Sequence, residues 1–426
     1  MRTPILAAGL TLAAALLTPL PAPAEPAPGK ASAAAPTTER AAKRQIARTA
    51  WDTGAELRAG TRDGVRVRKG GLRISEASGT RSYNGDTYEA GTWTSPWVSP
   101  GFGLTELIAS WEARTRGAGY LEVAVRGQAA DGRTSSWDVL GRWADADRHV
   151  RRTSLPGQGD DLADVNVDTW QASTPLTSWQ LQVTLLRRPG ARSPRLDAVG
   201  AMASRLPAVS DVATSRPGPG AGTVLPVPRY SQMMHRGHYP TWGAGGQAWC
   251  SPTSTSMVLG YYDALPPAKA YDWVPDDHVD PWVDHAARRT YDASYRGTGN
   301  WPFNTAYAAT RTDHAFVTRL RNLREAGRFI EAGIPLIASL SWSAGRLDNA
   351  PPETRNGSNG HLLVIVGFRK NGDVVVNDPA AEDRAGVRRV YDRGQFEDAW
   401  LPKSGGLVYV IHDAAHPLPG TKLRNW

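Results

Sequence analysis

The chain has 426 residues, 41% of them hydrophobic and 21% charged, with 43 Gly, 32 Pro, 16 Trp and a single Cys. This apolar content excludes a chain disordered throughout, and the length fills two or three globular domains rather than one. The formal charge of +8 does not point to a nucleic-acid partner: Arg2 lies in a leader, residues 25–48 hold five Lys or Arg against two Glu, and no basic stripe interleaved with aromatics follows.

Met1-Arg2 is followed by an apolar stretch over 5–17 and then by Ala22-Pro23-Ala24. A basic start, a short hydrophobic core and a small-residue cleavage site read as a secretory signal over residues 1–24, cut after Ala24, so the expected location is extracellular. No later segment approaches the roughly 20 apolar residues that a membrane span needs. Residues 25–48 are rich in Ala, Pro, Glu and Lys without an apolar period and read as a flexible tether. In residues 49–205 apolar residues alternate with polar ones: Val65 and Val67, then Leu121, Val123 and Val125, then Trp179, Leu181, Val183 and Leu185. With turn signals such as Asn84-Gly85 and Asp131-Gly132 between the runs, this predicts an all-β sandwich. Trp93, Trp97, Trp137 and Trp143 either fill its core or stack on sugars, which makes a cell-wall glycan one candidate partner. Residues 206–223 carry no apolar face, end in alternating Pro and Gly, and read as a linker. Residues 224–418 mix two periods: helices are expected at 251–263 and 319–332, strands at 335–341, 362–368, 374–377 and 407–412. This second domain is α+β.

An exported chain with one cysteine has no internal disulfide. Cys250 is therefore a small buried hydrophobe, a bridge to a second chain, or a nucleophile. In QAWCSPTSTSMVLGYYD (247–263) it stands where a loop becomes a helix, with Pro252 suited to the first helical position and Ser251 to the cap. The positive end of the helix favours the thiolate there. A thiolate that attacks an amide also needs a base. His361 opens GHLLVIVGF (360–368), a polar residue at the mouth of a buried strand, and after KNGD (370–373) the chain returns as VVVNDP (374–379) with Asp378 available to orient an imidazole. An ideal two-residue hairpin at Asn371-Gly372 would leave Asp378 about 13 Å from His361 along the strand. Contact then requires a longer loop, a bulge or strong twist.

The blocks VPRYSQ (227–232), WCSPTSTSMVL (249–259), FIEAGIPLIASLSW (329–342), GHLLVIVGF (360–368) and VVVNDPA (374–380), in this order, resemble the papain-like cysteine peptidases related to bacteriocin-processing, double-glycine-leader peptidases. The resemblance covers residues 224–412. It implies a papain-like fold, Cys250 as nucleophile, His361 as base and acid, and Asp378 as orienter. In that family a Gln shortly before the Cys lends its side-chain amide to the oxyanion hole. VPRYSQ assigns this to Gln232, although it lies 18 residues before Cys250 and Gln247 only three before it; MMHRGHYPTWGAGG between them then reads as an insertion. The bacteriocin processors are fused to membrane transporters and this chain has no such segment, so leader trimming during export is not implied. Trp249 and Trp301 are candidates to line a peptide groove. His235 and His238, and His278 and His285 near Asp276, Asp277, Asp280 and Asp284, show no second Cys, no H-E-x-x-H and no regular ligand spacing; they read as a solvated acidic loop, with no metal and no cofactor expected. The expected function is a secreted, monomeric cysteine peptidase that cleaves peptide or protein substrates through an acyl-enzyme. The alternatives are a cell-wall peptide amidase or transpeptidase using the same chemistry, and a non-catalytic wall-binding protein with a vestigial peptidase fold.

Overall fold

The computed structural model describes residues 43–208 and 212–426. The expected signal peptide and nearly all of the tether fall outside these residues. The first half is strand after strand, as the two-residue alternation requires. Val65–Arg68, Gly119–Ala129 and Thr169–Arg187 are the strands expected from their patterns. Asn84-Gly85 is a two-residue hairpin turn, with φ of 51° and 80°, closed by the pair Tyr83 and Asp86. Thirteen strands form one connected antiparallel sheet. Its longest member, Thr169–Arg187, changes neighbours along its length. Trp170 and Gln171 pair with the strand Leu104–Arg114, and after register shifts around Leu176 the remainder pairs with Gly119–Ala129 and Asp86–Thr94. The core inside is indole-rich: Trp93, Trp111, Trp143, Trp170 and Trp179 are all buried. Trp93 and Trp143 are therefore not free to stack on a ligand. Only Trp97 of the four expected candidates is well exposed, and it and half-buried Trp137 pack against the Arg126 guanidinium.

The first described strand, Gln45–Trp51, pairs over its full length with Arg195–Arg205, so the expected tether gives way to strand three residues before position 48. The alternation in QIARTAW explains it, since Ile46 and Trp51 are both buried. The expected linker is also not free chain. Ser215 donates from its backbone N–H and its hydroxyl to the Glu397 carboxylate, both at 2.6 Å. Gly222 and Leu225 donate backbone N–H groups to Phe368 and Val366 at the end of a sheet strand.

The second half holds a six-stranded antiparallel sheet in the order His314–Arg319, Leu407–His412, Leu336–Ser343, Gly357–Phe368, Val374–Asn377, Arg388–Tyr391. Helix Cys250–Tyr261 packs on the strand Gly357–Phe368 and against the helices Pro281–Thr290 and Trp301–Ala309. The helix expected at 319–332 runs only from Leu323 to Glu331. Arg319 closes a strand instead, and the Asn322 side chain accepts from the N–H groups of Arg324 and Glu325, which sets the helix start. The chain continues past 418: Asn425 is fully buried, and Trp426 meets Phe329 edge-on at 4.8 Å.

The two halves share a core. The edge strand His314–Arg319 would present unpaired amides, but the other half covers it. Val317 N–H donates to Ser110 Oγ at 2.8 Å, Ala315 N–H to Glu112 Oε1 at 3.1 Å, and Arg319 pairs with Glu106. Phe303, on a helix of the second half, is buried within the tryptophan core of the first and meets Trp111 edge-on at 6.1 Å. Phe303→Ala should therefore cost about 3–5 kcal/mol and lower a single melting transition that tryptophan fluorescence and calorimetry report together; two separated transitions in the unsubstituted protein would contradict the shared core.

Candidate active site

Cys250 is the first residue of its helix, and residues 251–259 behind it are buried on every side. Trp249 occupies the cap position and gives no side-chain cap, while Ser251, expected to cap, bonds instead to the Tyr409 hydroxyl at 2.9 Å inside the core. The first turn thus keeps amides uncovered by side-chain caps beside the sulfur. The groups that act on the Cys250 sulfur are the His361 imidazole and the N–H groups of Leu362 and Ser251.

His361 lies on the strand Gly357–Phe368 and is buried. Its Nε2 stands 2.8 Å from Asp378 Oδ1, leaving Nδ1 for Cys250. The obstacle raised by the ideal hairpin is removed in two ways. Five residues, not two, connect Phe368 to Val374, and Val366 bulges so that Ile365 pairs with Val376 while Gly367 pairs with Val375. Extending this register sets Asp378 beside Leu363, two residues and about 7 Å along the strand from His361, a diagonal separation that side chains span. Gly367 is required at the bulge, because a Cβ there would lie 2.2 Å from the Thr223 carbonyl oxygen of the crossing segment.

Asp378 is fully enclosed. Its Oδ1 also accepts the Ala380 N–H at 3.0 Å, and its Oδ2 accepts the Tyr391 hydroxyl at 2.6 Å. Tyr391 has no sequence signal beyond its place at the end of the short strand RRVY. Asn377 points the other way, as expected: its amide donates to Pro228 O and its carbonyl accepts from Arg388. Trp342 stands edge-on over the His361 ring at 5.8 Å and is itself buried.

Burial alone would raise the Cys250 thiol, yet the His361 imidazole and the surrounding N–H groups bring it below its ordinary value. Burial likewise lowers His361, but the Asp378 carboxylate and the sulfur outweigh it and hold the imidazole above its usual range. Asp378 follows the same pattern: burial raises it, and His361 and Tyr391 pull it down. The three shifts favour a thiolate–imidazolium pair backed by a carboxylate.

Gln232 is buried; its backbone N–H donates to Pro379 O at 2.9 Å and its Nε2 to the Gln247 carbonyl oxygen at 2.5 Å. The Gln247 side chain is tied within its own loop, donating to Ala244 O at 2.6 Å and accepting the Gly237 N–H at 3.1 Å. Both glutamines border a cleft of about 1080 Å³ that contains Cys250 and His361. Trp301 borders it as well. Trp249 does not: it is fully buried and its indole N–H donates to Trp242 O at 2.7 Å, so the expectation that it touches substrate is corrected. The first half contributes the opposite wall with Asn166, Val167 and Asp168, which alternation alone does not reveal. The histidines read as part of a solvated loop are placed differently too, since His235 and Asp284 are fully buried.

The arrangement is that of a thiol–imidazole–carboxylate site on a helix N-terminus and two neighbouring strands. Residues 224–407 match the Peptidase_C39 like family and residues 47–204 match the Peptidase C39 N-terminal domain; by these two matches the chain belongs with the C39, bacteriocin-processing-like peptidases. No curated protein matches the chain significantly. Among solved structures, the carbohydrate recognition domain of Emp46p, in a single-residue mutant form, is similar at 12% identity over 34% of this chain and 89% of that one, with a TM-score of 0.21 that supports no argument about fold or ligand.

Because alkylation follows the thiolate fraction, the pH profile of iodoacetamide reaction at Cys250 should have its midpoint below that of a free cysteine thiol. In His361→Ala the midpoint should move up. A profile in the unsubstituted protein that coincides with a model thiol would refute the ion pair.

Proposed function

We propose that this protein is a secreted cysteine peptidase, with a papain-like α+β domain and a β-sandwich domain, that hydrolyses peptide bonds through Cys250, His361 and Asp378. The observation that carries the reading is that Cys250 and His361 line one open cleft and that Asp378 holds the His361 ring at 2.8 Å from behind. The thiolate adds to the scissile carbonyl carbon, and the electron pair moves to the oxygen. That oxyanion is received by the Cys250 backbone amide and the second Nε2 hydrogen of Gln232. Imidazolium His361 gives its proton to the departing amine as the C–N bond breaks, leaving a thioester on Cys250. His361 then takes a proton from water, which attacks the thioester and releases the acid and the thiolate. Asp378 holds the ring orientation and stabilises its positive form, and Tyr391 fixes Asp378. The family supports peptide or protein substrates.

Cys250→Ala and His361→Ala should each abolish hydrolysis of a peptide library while leaving circular dichroism unchanged, whereas Asp378→Ala should retain measurable turnover. Wild-type turnover in Cys250→Ala would end the proposal. The glutamines separate by kinetics. Gln232→Ala should lower kcat by about 10² to 10³ with little change in KM, and Gln247→Ala by less than about tenfold; the reverse order would move the oxyanion role to the loop. Secretion as a monomer beginning at Glu25 belongs to the same proposal, and the intact mass of protein recovered from the medium checks it.

A further inference from the structure

Histidines that the catalytic chemistry does not use converge on one carboxylate. His235 ends the short turn Gln232–His235, His238 follows it, His278 precedes the helix Pro281–Thr290, and Asp284 stands in that helix's first turn. His235 Nδ1 lies 3.0 Å from Asp284 Oδ2, and the Nδ1 atoms of His238 and His278 lie 3.0 and 3.2 Å from Oδ1. His235 and Asp284 have no exposed side-chain surface, while His238 and His278 are each 17% exposed. Among the described residues these three imidazoles are the carboxylate's side-chain partners, with no Lys or Arg bonded to it. A buried carboxylate needs a compensating charge. The His235 Nε2, on the other side of the ring, is buried without a hydrogen-bond partner.

We propose that a divalent cation of the zinc type binds here, held by His235, His238 and Asp284, with His278 on the solvent side as fourth ligand. One ligand atom from each of the first three already lies within 4.8 Å of the other two. Zinc takes neutral imidazole nitrogen and carboxylate oxygen at about 2.0–2.1 Å, which sets tetrahedral donor–donor edges near 3.3 Å; the nitrogen–oxygen separations of 3.0 to 3.2 Å fall a few tenths short of this. The ligands come from the insertion between Gln232 and Cys250, from the following loop and from a core helix, so the ion fastens the insertion to the body. His235 lies three residues after Gln232, and its ring is 6.1 Å from that of Trp249, the neighbour of Cys250. The cation is structural, and its effect on catalysis passes through the position of Gln232.

The test uses tag-free full-length protein carrying Cys250→Ala, because Cys250 and His361 are themselves zinc donors. After exhaustive dialysis, elemental analysis should find about one zinc per chain. Stripping with a chelator should lower the melting temperature, and zinc back-addition should restore it by at least about 2 °C. Cobalt in place of zinc should give the visible d–d bands of a four-coordinate ion. His238→Ala, at a half-open position that tolerates loss of a ring, and Asp284→Asn should weaken zinc binding at least about tenfold. The proposal is overturned if the protein is isolated metal-free and a tenfold excess of zinc leaves its melting temperature unchanged, or if the stoichiometry survives both substitutions.

Discussion

The bond between His361 and Asp378 is the interaction on which the rest of the site depends. Both groups are out of water, and an isolated buried charge on either would cost several kcal/mol. Each is tolerable only because the other is there at 2.8 Å and because Ala380 N–H and the Tyr391 hydroxyl occupy remaining lone pairs of the carboxylate. The pair is not a surface salt bridge whose worth is near zero. It is the second link of a chain whose first link is the sulfur. The backbone arrangement around it serves one end: the five-residue loop and the Val366 bulge shorten the distance along the strand, and the segment at Thr223 crosses where only Gly367 leaves room.

The two halves meet where the cleft is made. Edge amides of His314–Arg319 find Ser110 and Glu112 across the junction, and Phe303 is lodged among tryptophans of the other sheet. The same junction brings Asp168 to the cleft, where it accepts the Trp301 N–H at 3.1 Å. Burial pushes the Asp168 carboxyl up to about 7, and Asp292 adds to the rise against the Trp301 hydrogen bond. A wall that is itself titratable near neutrality belongs to the first half, so that half is part of the site's surface and not only a neighbour of it.

Much of this is legible in the residues. Alternation finds the strands around Val65, Val123 and Leu181; the loop-to-helix signal at Cys250 and the polar residue heading a buried strand at His361 find two members of the candidate site. Asp378 is found as a type of residue, but its contact is not derivable, because a one-residue bulge is set by what crosses the strand and not by the strand's own sequence. Ser251 reads as a cap because the pattern cannot show that Tyr409 offers its hydroxyl a partner in the core. Trp249 and Trp93 are open to a binding role only because composition does not tell a buried indole from an exposed one. Tyr391 and Asp168 are invisible for the same reason: each acts through a contact made across distant segments.

The insertion ahead of Cys250 shows how such long-range constraints combine. Its Gly245-Gly246 pair has no room for side chains: a Cβ on Gly246 would lie 1.8 Å from the His235 carbonyl oxygen, and Gly245 has φ of 96° with the His238 carbonyl 2.9 Å from its missing Cβ. The loop therefore closes directly on the backbone of the histidine-bearing turn. Gln232 then holds the Gln247 carbonyl and the Pro379 carbonyl at once, which links the loop leading into Cys250 to the segment just after Asp378. What reads in sequence as an interruption between two family blocks is, in space, a brace that joins three parts of the site: the turn carrying Gln232, the helix start carrying Cys250 and the strand end carrying Asp378. An insertion that merely lengthened a surface loop would need neither the glycines nor a buried Asp284 beneath it, so its fold is tied to the position of the amide that faces the cleft.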